Sequence, residues 1–133
     1  MSNVYIIAEV GINHNGDLSL AKKLINKAVR AKCSAVKFQK RDIDSVYTTD
    51  ELDAQRQSPW GTTNRDQKQG LEFSIGQYLE LEKFCKDKGI DFIVSCWDVN
   101  SLKLIEDNID VKFHKVASAL ATDSEFIDAL NET

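Results

Sequence analysis

Several short stretches of this 133-residue chain end in polar or charged residues of the kinds that bind anions or move protons. One ends in Glu9-Val10-Gly11-Ile12-Asn13-His14-Asn15-Gly16; another carries Lys37 and Gln39. A third ends in Ser95, Cys96, Trp97 and Asp98, and a fourth carries Lys115 and Ser118. Lys37 lies inside the otherwise apolar run Ala35-Val36-Lys37-Phe38-Gln39, where a buried ammonium is costly unless a partner or a ligand anion compensates it. Two readings follow: a structural ion pair with Glu9, or a cation that receives a ligand. Lys115 poses the same question. Two lysines facing one cavity, with Ser95 and Ser118 as hydroxyl donors, would form a site for a phosphate or carboxylate. His14 reads either as a general acid/base or orienting donor, or as a structural loop histidine. The Gly11–Gly16 spacing lacks the Lys-Ser/Thr that follows in a nucleotide-binding P-loop, and Asn15-Gly16 alone signals a tight turn. Strand alternation points His114 and Cys96 away from the cavity, toward packing or solvent.

The elements that must position these residues alternate. Val4–Ala8 is a short apolar run of the kind buried on both faces of a parallel sheet. Asp17 can cap a helix whose apolar stripe is Ala21, Leu24, Ile25, Ala28 and Val29. Ala35–Gln39 is a second strand. Residues 41–73 are polar and irregular, contain Pro59, Gly61 and Gly70, and carry local structure near Thr49–Arg56. Ser74 and Gln77 form a capping box for a helix through Tyr78, Leu81, Phe84 and Cys85, with Gly89 as its stop. Asp91–Trp97 is a third strand, Asn100 a cap for the next helix, Lys112–Ser118 a fourth strand, and Asp123 a final cap. This β-α-β-α-β-α-β-α order predicts an α/β fold with a parallel sheet. An open doubly wound sheet and consecutive units of a (β/α) barrel both fit. In either, sites collect at the C-terminal ends of the strands, where all four polar segments lie.

Composition narrows the function. The net charge of −4 lacks the basic excess of a nucleic-acid binder. Hydrophobic residues at 42% and charged residues at 29% fit a globular chain of one domain, residues 1–133. The apolar stretch Val4–Ile12 contains Glu9 and is too short to span a bilayer, and no export signal is visible. No membrane partner is therefore expected. Cys33, Cys85 and Cys96, without metal-like spacing, read as free thiols of a cytoplasmic protein. A complete eight-unit barrel needs about 250 residues, so this length excludes one.

At Ile7–Asp17, Ala35–Gln39, Phe92–Asp98 and Lys115–Ala119 the sequence resembles the sialic acid (N-acetylneuraminate) synthase family. The Glu-x-Gly-x-Asn-His-Asn-Gly opening is the most specific of these segments. Pro59-Trp60-Gly61-Thr62 looks like the bacterial surface-polysaccharide branch. The resemblance implies the N-terminal half of a TIM (β/α)8 barrel that condenses phosphoenolpyruvate with an N-acetylhexosamine, releasing phosphate and forming a nine-carbon 2-keto acid. It implies that Lys37 binds the carboxylate side of phosphoenolpyruvate. Lys115, Ser118 and Ser95 would hold the phosphate and neighbouring oxygens. Glu9 would face the reacting carbon and its water, and Asn13 and His14 would shape the same floor. Gln39 and Asp98 are sugar-side candidates. A divalent Mn2+ or Mg2+ and a homodimer are expected of the full-length enzyme, with no metal ligands in this chain: the family's metal-binding histidines lie in the later half of the barrel. Where several family members carry an acidic residue two positions beyond the fourth-strand serine, this chain has Leu120.

Two other readings stay open from the residues alone. A lysine inside a barrel strand can be the Schiff-base nucleophile of an aldolase. A half-barrel with open sheet edges can instead be a non-catalytic module that binds phosphorylated metabolites or associates with another half.

Overall fold

The computed structural model describes residues 4–133. In chain order it forms β1 (Ile7–Gly11), α1 (Leu18–Arg30), β2 (Ala35–Lys40), α2 (Ile43–Val46) and α3 (Thr49–Asp53). A hairpin of β3 (Gln55–Ser58) and β4 (Gly61–Thr63) follows, then α4 (Asn64–Gly70) and α5 (Ile75–Lys88). β5 (Asp91–Cys96), α6 (Val99–Glu106), a 3-10 turn at Ser118–Leu120 and α7 (Ser124–Asn131) complete it. β1, β2 and β5 form a parallel sheet in that order, with β2 central.

The period-two alternation of the strands decides what each face does. Val36 and Phe38 of β2, with Phe92, Val94 and Cys96 of β5, share one core with Ile25 of α1, Leu81 of α5 and Leu102 of α6. Lys37 and Gln39 of β2, and Ile93 and Ser95 of β5, therefore point to the opposite face. Three helix starts follow the sequence reading. Asp17 accepts from Leu20 N–H at 3.0 Å, Asp123 accepts from Phe126 N–H at 3.0 Å, and Ser74 and Gln77 cap α5 reciprocally. α6 differs: Asp98, not Asn100, is its cap, accepting from Ser101 N–H at 2.7 Å. The Asn100 amide instead donates to Asp42 Oδ2 and Ser45 Oγ.

Two expected strands change. β1 starts at Ile7, and the apolar residues before it are not buried on both faces: Val4 is 78% exposed and Ile6 50%. Among the described residues β1 is an edge strand, with β2 as its one strand neighbour. Lys112–Ser118 joins no ladder: Lys112 is a bend, Phe113–Ala117 belong to no regular element and Ser118 opens the 3-10 turn. Side chains tether it instead. Lys112 pairs with Asp91 at 2.9 Å, Phe113 packs edge-on against Tyr5 at 5.7 Å, and the Lys115 carbonyl accepts from Ser95 Oγ at 2.8 Å. A strand at a parallel edge with no neighbour beyond it forms few bonds for the entropy it loses, and here side-chain contacts replace them.

Residues 41–73 are ordered by local chemistry. Thr48 with Glu51, and Thr63 with Asp66, are capping boxes, and Pro59-Trp60 makes the hairpin turn. This excursion rests on the β1–α1 loop through a tight stack. A Cβ on Gly16 would lie 2.0 Å from the Gly70 carbonyl oxygen, and a Cβ on Gly70 would lie 2.2 Å from Cγ of Trp60. Gly16 and Gly89 share a φ of +70°, but nothing lies within 4 Å of a Cβ at Gly89. Gly89→Ala is expected to cost about 1 kcal/mol of left-handed strain, and Gly16→Ala about 3 kcal/mol or more once overpacking is added. Urea unfolding of the two variants checks this; equal losses would contradict the stack.

Candidate functional site

The face of the sheet away from the helices carries the polar residues. In register, Glu9 of β1 lies beside Lys37 of β2, and Lys37 beside Ile93 of β5. One row further on, Gln39 lies beside Ser95. The Lys37 ammonium meets the Glu9 carboxylate at 2.8 Å. The pair is lopsided: the Lys37 side chain is 5% exposed and that of Glu9 55%. Lys37 is thus a buried cation whose only compensation among the described residues opens to solvent. Such a charge is unfavourable without its partner, yet its partner's outer oxygen is free to meet a ligand or water.

A bulge sets the height of Glu9. The β1–β2 register slips between Glu9 and Gly11, an irregularity that re-aims neighbouring side chains. Gly11 has φ of +56°, and a Cβ there would sit 3.2 Å from Glu9 Oε1 and 3.5 Å from Gln39 Nε2. The space a side chain at Gly11 would need is thus bordered by both Glu9 and Gln39 at the head of β1. Gln39 is fixed from behind, because the Tyr78 hydroxyl donates to its carbonyl at 2.5 Å. The next residues are held by Glu72, whose carboxylate accepts from Lys40 Nζ at 3.3 Å, Arg41 N–H at 3.2 Å and Arg41 Nε at 2.9 Å. Burial works against the Arg41 charge, but Glu72 and Tyr47 outweigh it and hold the guanidinium above its ordinary pKa. Neither Tyr78 nor Glu72 was visible as a site residue from sequence: Tyr78 reads as one member of an apolar stripe, and Glu72 as a charge in a loop.

The remaining candidates are less converged. Ser95 is buried and its hydroxyl donates to the Lys115 carbonyl, so it is the backbone of Lys115 that reaches the sheet. The Lys115 side chain is exposed, and exposed Ser118 opens the 3-10 turn. Leu120 of that turn packs against the core. Asn13 is exposed, with its N–H on the Val10 carbonyl at 2.9 Å. Asp98 is buried and occupied, accepting from Ser101 N–H, Ser101 Oγ and Asp42 N–H. His114 pairs with Glu106 of α6, away from Lys37. Cys96 lies in the core, where burial, with Asp98 adding, pushes its thiol up to about 12. Clefts of about 440 Å³ beside Trp97 and Asp123 and about 480 Å³ beside Arg41 and Glu72 flank this region, and neither is lined by Glu9 or Lys37. The Glu9–Lys37 site is an open rim, defined by chemistry rather than by concavity.

His14 is 1% exposed, stacked on Phe73 with ring centroids 4.1 Å apart and on Phe38 at 5.8 Å. Its Nδ1 accepts from Gly16 N–H at 3.0 Å. Burial pushes its pKa down to about 4, against a smaller opposing effect of a hydrogen bond to the Gly11 backbone. Among the described residues no three His, Cys, Asp or Glu side chains gather as a metal site, and no helix is long and apolar enough to cross a membrane.

A base whose pKa is lowered by folding binds its proton more readily in the unfolded chain. Its contribution is complete above the unfolded value of 6.5 and is lost as pH falls from there toward about 4. Between pH 7 and pH 5, His14 should account for about 2 kcal/mol of lost stability. Urea unfolding at both pH values checks it. His14→Phe, which retains an aromatic ring between Phe38 and Phe73, should remove most of that difference; an unchanged difference would contradict a buried neutral imidazole.

Comparison with known proteins bears on the fold and the family. The NeuB family profile matches residues 24–133. The N-acetylneuraminate-9-phosphate synthase of Drosophila melanogaster is 42% identical over 120 residues, which are 89% of this chain and 32% of that protein. The N,N'-diacetyllegionaminic acid synthase of Legionella pneumophila is 32% identical over 92% of this chain and 35% of its own length. This chain thus spans about a third of the length of these relatives. Among solved structures, the N-acetylneuraminic acid synthetase of Leptospira borgpetersenii, in complex with citrate, superposes with a TM-score of 0.81 at 28% identity, over 98% of this chain and 42% of that one. The parallel β/α units are thus those of a sialic acid synthase fold, compatible with part of a β/α barrel. On its profile match, its relatives and its fold, the chain belongs to the NeuB family.

Proposed function

We propose that this chain supplies the phosphoenolpyruvate side of a condensing active site. The whole enzyme would join phosphoenolpyruvate to an N-acetylhexosamine, add water and release phosphate, giving a 2-keto sugar acid for sialic acid or surface-polysaccharide synthesis. The names of its relatives, sialic and legionaminic acid synthases and a spore coat polysaccharide biosynthesis protein, support that reaction class. The single observation that carries the proposal is the buried Lys37 ammonium paired with a Glu9 carboxylate that is open to solvent.

In this reading Lys37 takes the phosphoenolpyruvate carboxylate, a charge-assisted contact in a low-dielectric setting. Ser95, freed from the Lys115 carbonyl, would turn its hydroxyl to the phosphate, and Lys115 and Ser118 would join it when their segment closes over the sheet. Glu9 is drawn off the ammonium as the ligand carboxylate replaces it, and is then placed to orient or deprotonate the water at the reacting carbon. Gln39, at the same rim as Glu9, would meet the sugar. Asn13 would line the floor beside it, while Asp98 would act by fixing the loop after β2. Family enzymes use a divalent metal as a Lewis acid toward the aldehyde. The described residues offer no cluster that fits such an ion, so no step is assigned to one here.

Isothermal titration of the 133-residue chain with phosphoenolpyruvate tests the proposal. Lys37→Met should weaken binding at least about tenfold while leaving the fold intact, because the charge left behind, Glu9, is more than half exposed and stays solvated. Lys22→Met, at a surface pair with Glu80, should not change it. Equal affinity in the two variants would refute the site. Borohydride trapping of a pyruvate adduct on Lys37 would favour a Schiff-base aldolase instead.

A further inference from the structure

The Gly11–Gly16 loop continues directly from the strand that carries Glu9, and the buried group inside that loop is His14. Its Nδ1 accepts from the Gly16 amide, two residues ahead, as an Asn or Asp side chain does in an Asx-turn. With Nδ1 as acceptor, the single proton of the neutral ring lies on Nε2. The hydrogen bond to Gly16 N–H, at 3.0 Å, ties the ring to the far end of the loop. Its two faces are occupied by Phe73 and Phe38, and with 1% exposure it presents no nitrogen to solvent.

Two lines of contact run from this ring to Gln39. One runs along the loop to Gly11, where an added Cβ would stand 3.2 Å from Glu9 Oε1 and 3.5 Å from Gln39 Nε2. The other passes through Phe73, which packs edge-on against Tyr78 at 6.1 Å, whose hydroxyl donates to the Gln39 carbonyl. We propose that His14 is a positioning residue: as an uncharged clasp on the Gly11–Gly16 loop it sets where Glu9 and Gln39 stand at the rim, and it exchanges no proton with a substrate. This role rests on the reading of the Glu9–Lys37 rim as an anion site.

Two substitutions separate clasp from filler. His14→Phe keeps the aromatic packing and loses the acceptor. His14→Asn loses the stacking and restores an acceptor for Gly16 N–H. Phosphoenolpyruvate affinity by titration calorimetry should fall about tenfold in His14→Phe, the scale of one lost hydrogen bond, and largely return in His14→Asn. Binding in His14→Phe equal to the unaltered chain, or weaker binding in His14→Asn than in His14→Phe, overturns the proposal. The unaltered chain provides an independent arm. Nitrogen-15 NMR of the histidines should show His14 as the Nε2–H tautomer from pH 8 to pH 5, and an Nδ1–H tautomer or titration near the ordinary histidine value overturns the clasp. Should phosphoenolpyruvate fail to bind the unaltered chain, the anion-site reading falls and takes this role with it, while the tautomer still decides the clasp itself.

Discussion

The arrangement depends on one electrostatic constraint: an ammonium in the middle of the central strand must be compensated where it sits. Lys37 cannot turn to the helix side without displacing Val36 and Phe38 from the core, so its charge faces the open side of the sheet. A carboxylate on the neighbouring strand at the same level is the available answer, and the parallel register of β1 on β2 provides it in Glu9. Glu9 remains more than half exposed, so the compensating charge stands at the solvent boundary. A fully buried pair would be a structural feature only. In the proposed function this one gives up its carboxylate to solvent and accepts the ligand anion.

The rest of the rim holds that geometry still. The carbonyl of Gln39 is tied to Tyr78, Lys40 and Arg41 to Glu72, and the Asp42 amide to Asp98, so consecutive residues beyond the head of β2 are anchored to different elements. The excursion of residues 41–73 serves the same end from above. Its hairpin turn lays Trp60 on Gly70 and Gly70 on Gly16, bracing the outside of the loop that His14 clasps from within. Preorganisation of this kind keeps charged side chains from relaxing toward each other when a ligand arrives.

Much of this was legible in the sequence where local chemistry determines structure. The strand runs at Ala35–Gln39 and Asp91–Trp97, the Ser74–Gln77 box, and the caps at Asp17 and Asp123 depend on neighbours within a few residues, and each lies close to where it is expected. The pairing of Lys37 with Glu9 was legible because a buried lysine requires an acid nearby. The fate of Lys112–Ser118 was not: its residues suit a strand, but pairing depends on what lies on both sides of it, which no local pattern encodes. The cap at Asp98 rather than Asn100 turned on where the Asn100 amide found partners, in Asp42 and Ser45 more than fifty positions away. His14 shows the same limit. Its type announced chemistry, whereas its burial between Phe38 and Phe73 is a tertiary fact.

The central claim is that the Lys37 ammonium exchanges Glu9 for a ligand anion. The most direct measurement is NMR observation of the lysine ammonium groups, isotopically labelled, during titration with phosphoenolpyruvate at constant ionic strength. The account predicts a saturable change of the Lys37 ammonium signal, accompanied by Glu9 side-chain carboxyl carbon shifts, and no comparable response at Lys83, whose exposed pair with Asp87 lies on α5. A Lys37 signal that stays fixed through the titration, or that moves no more than Lys83, would contradict it.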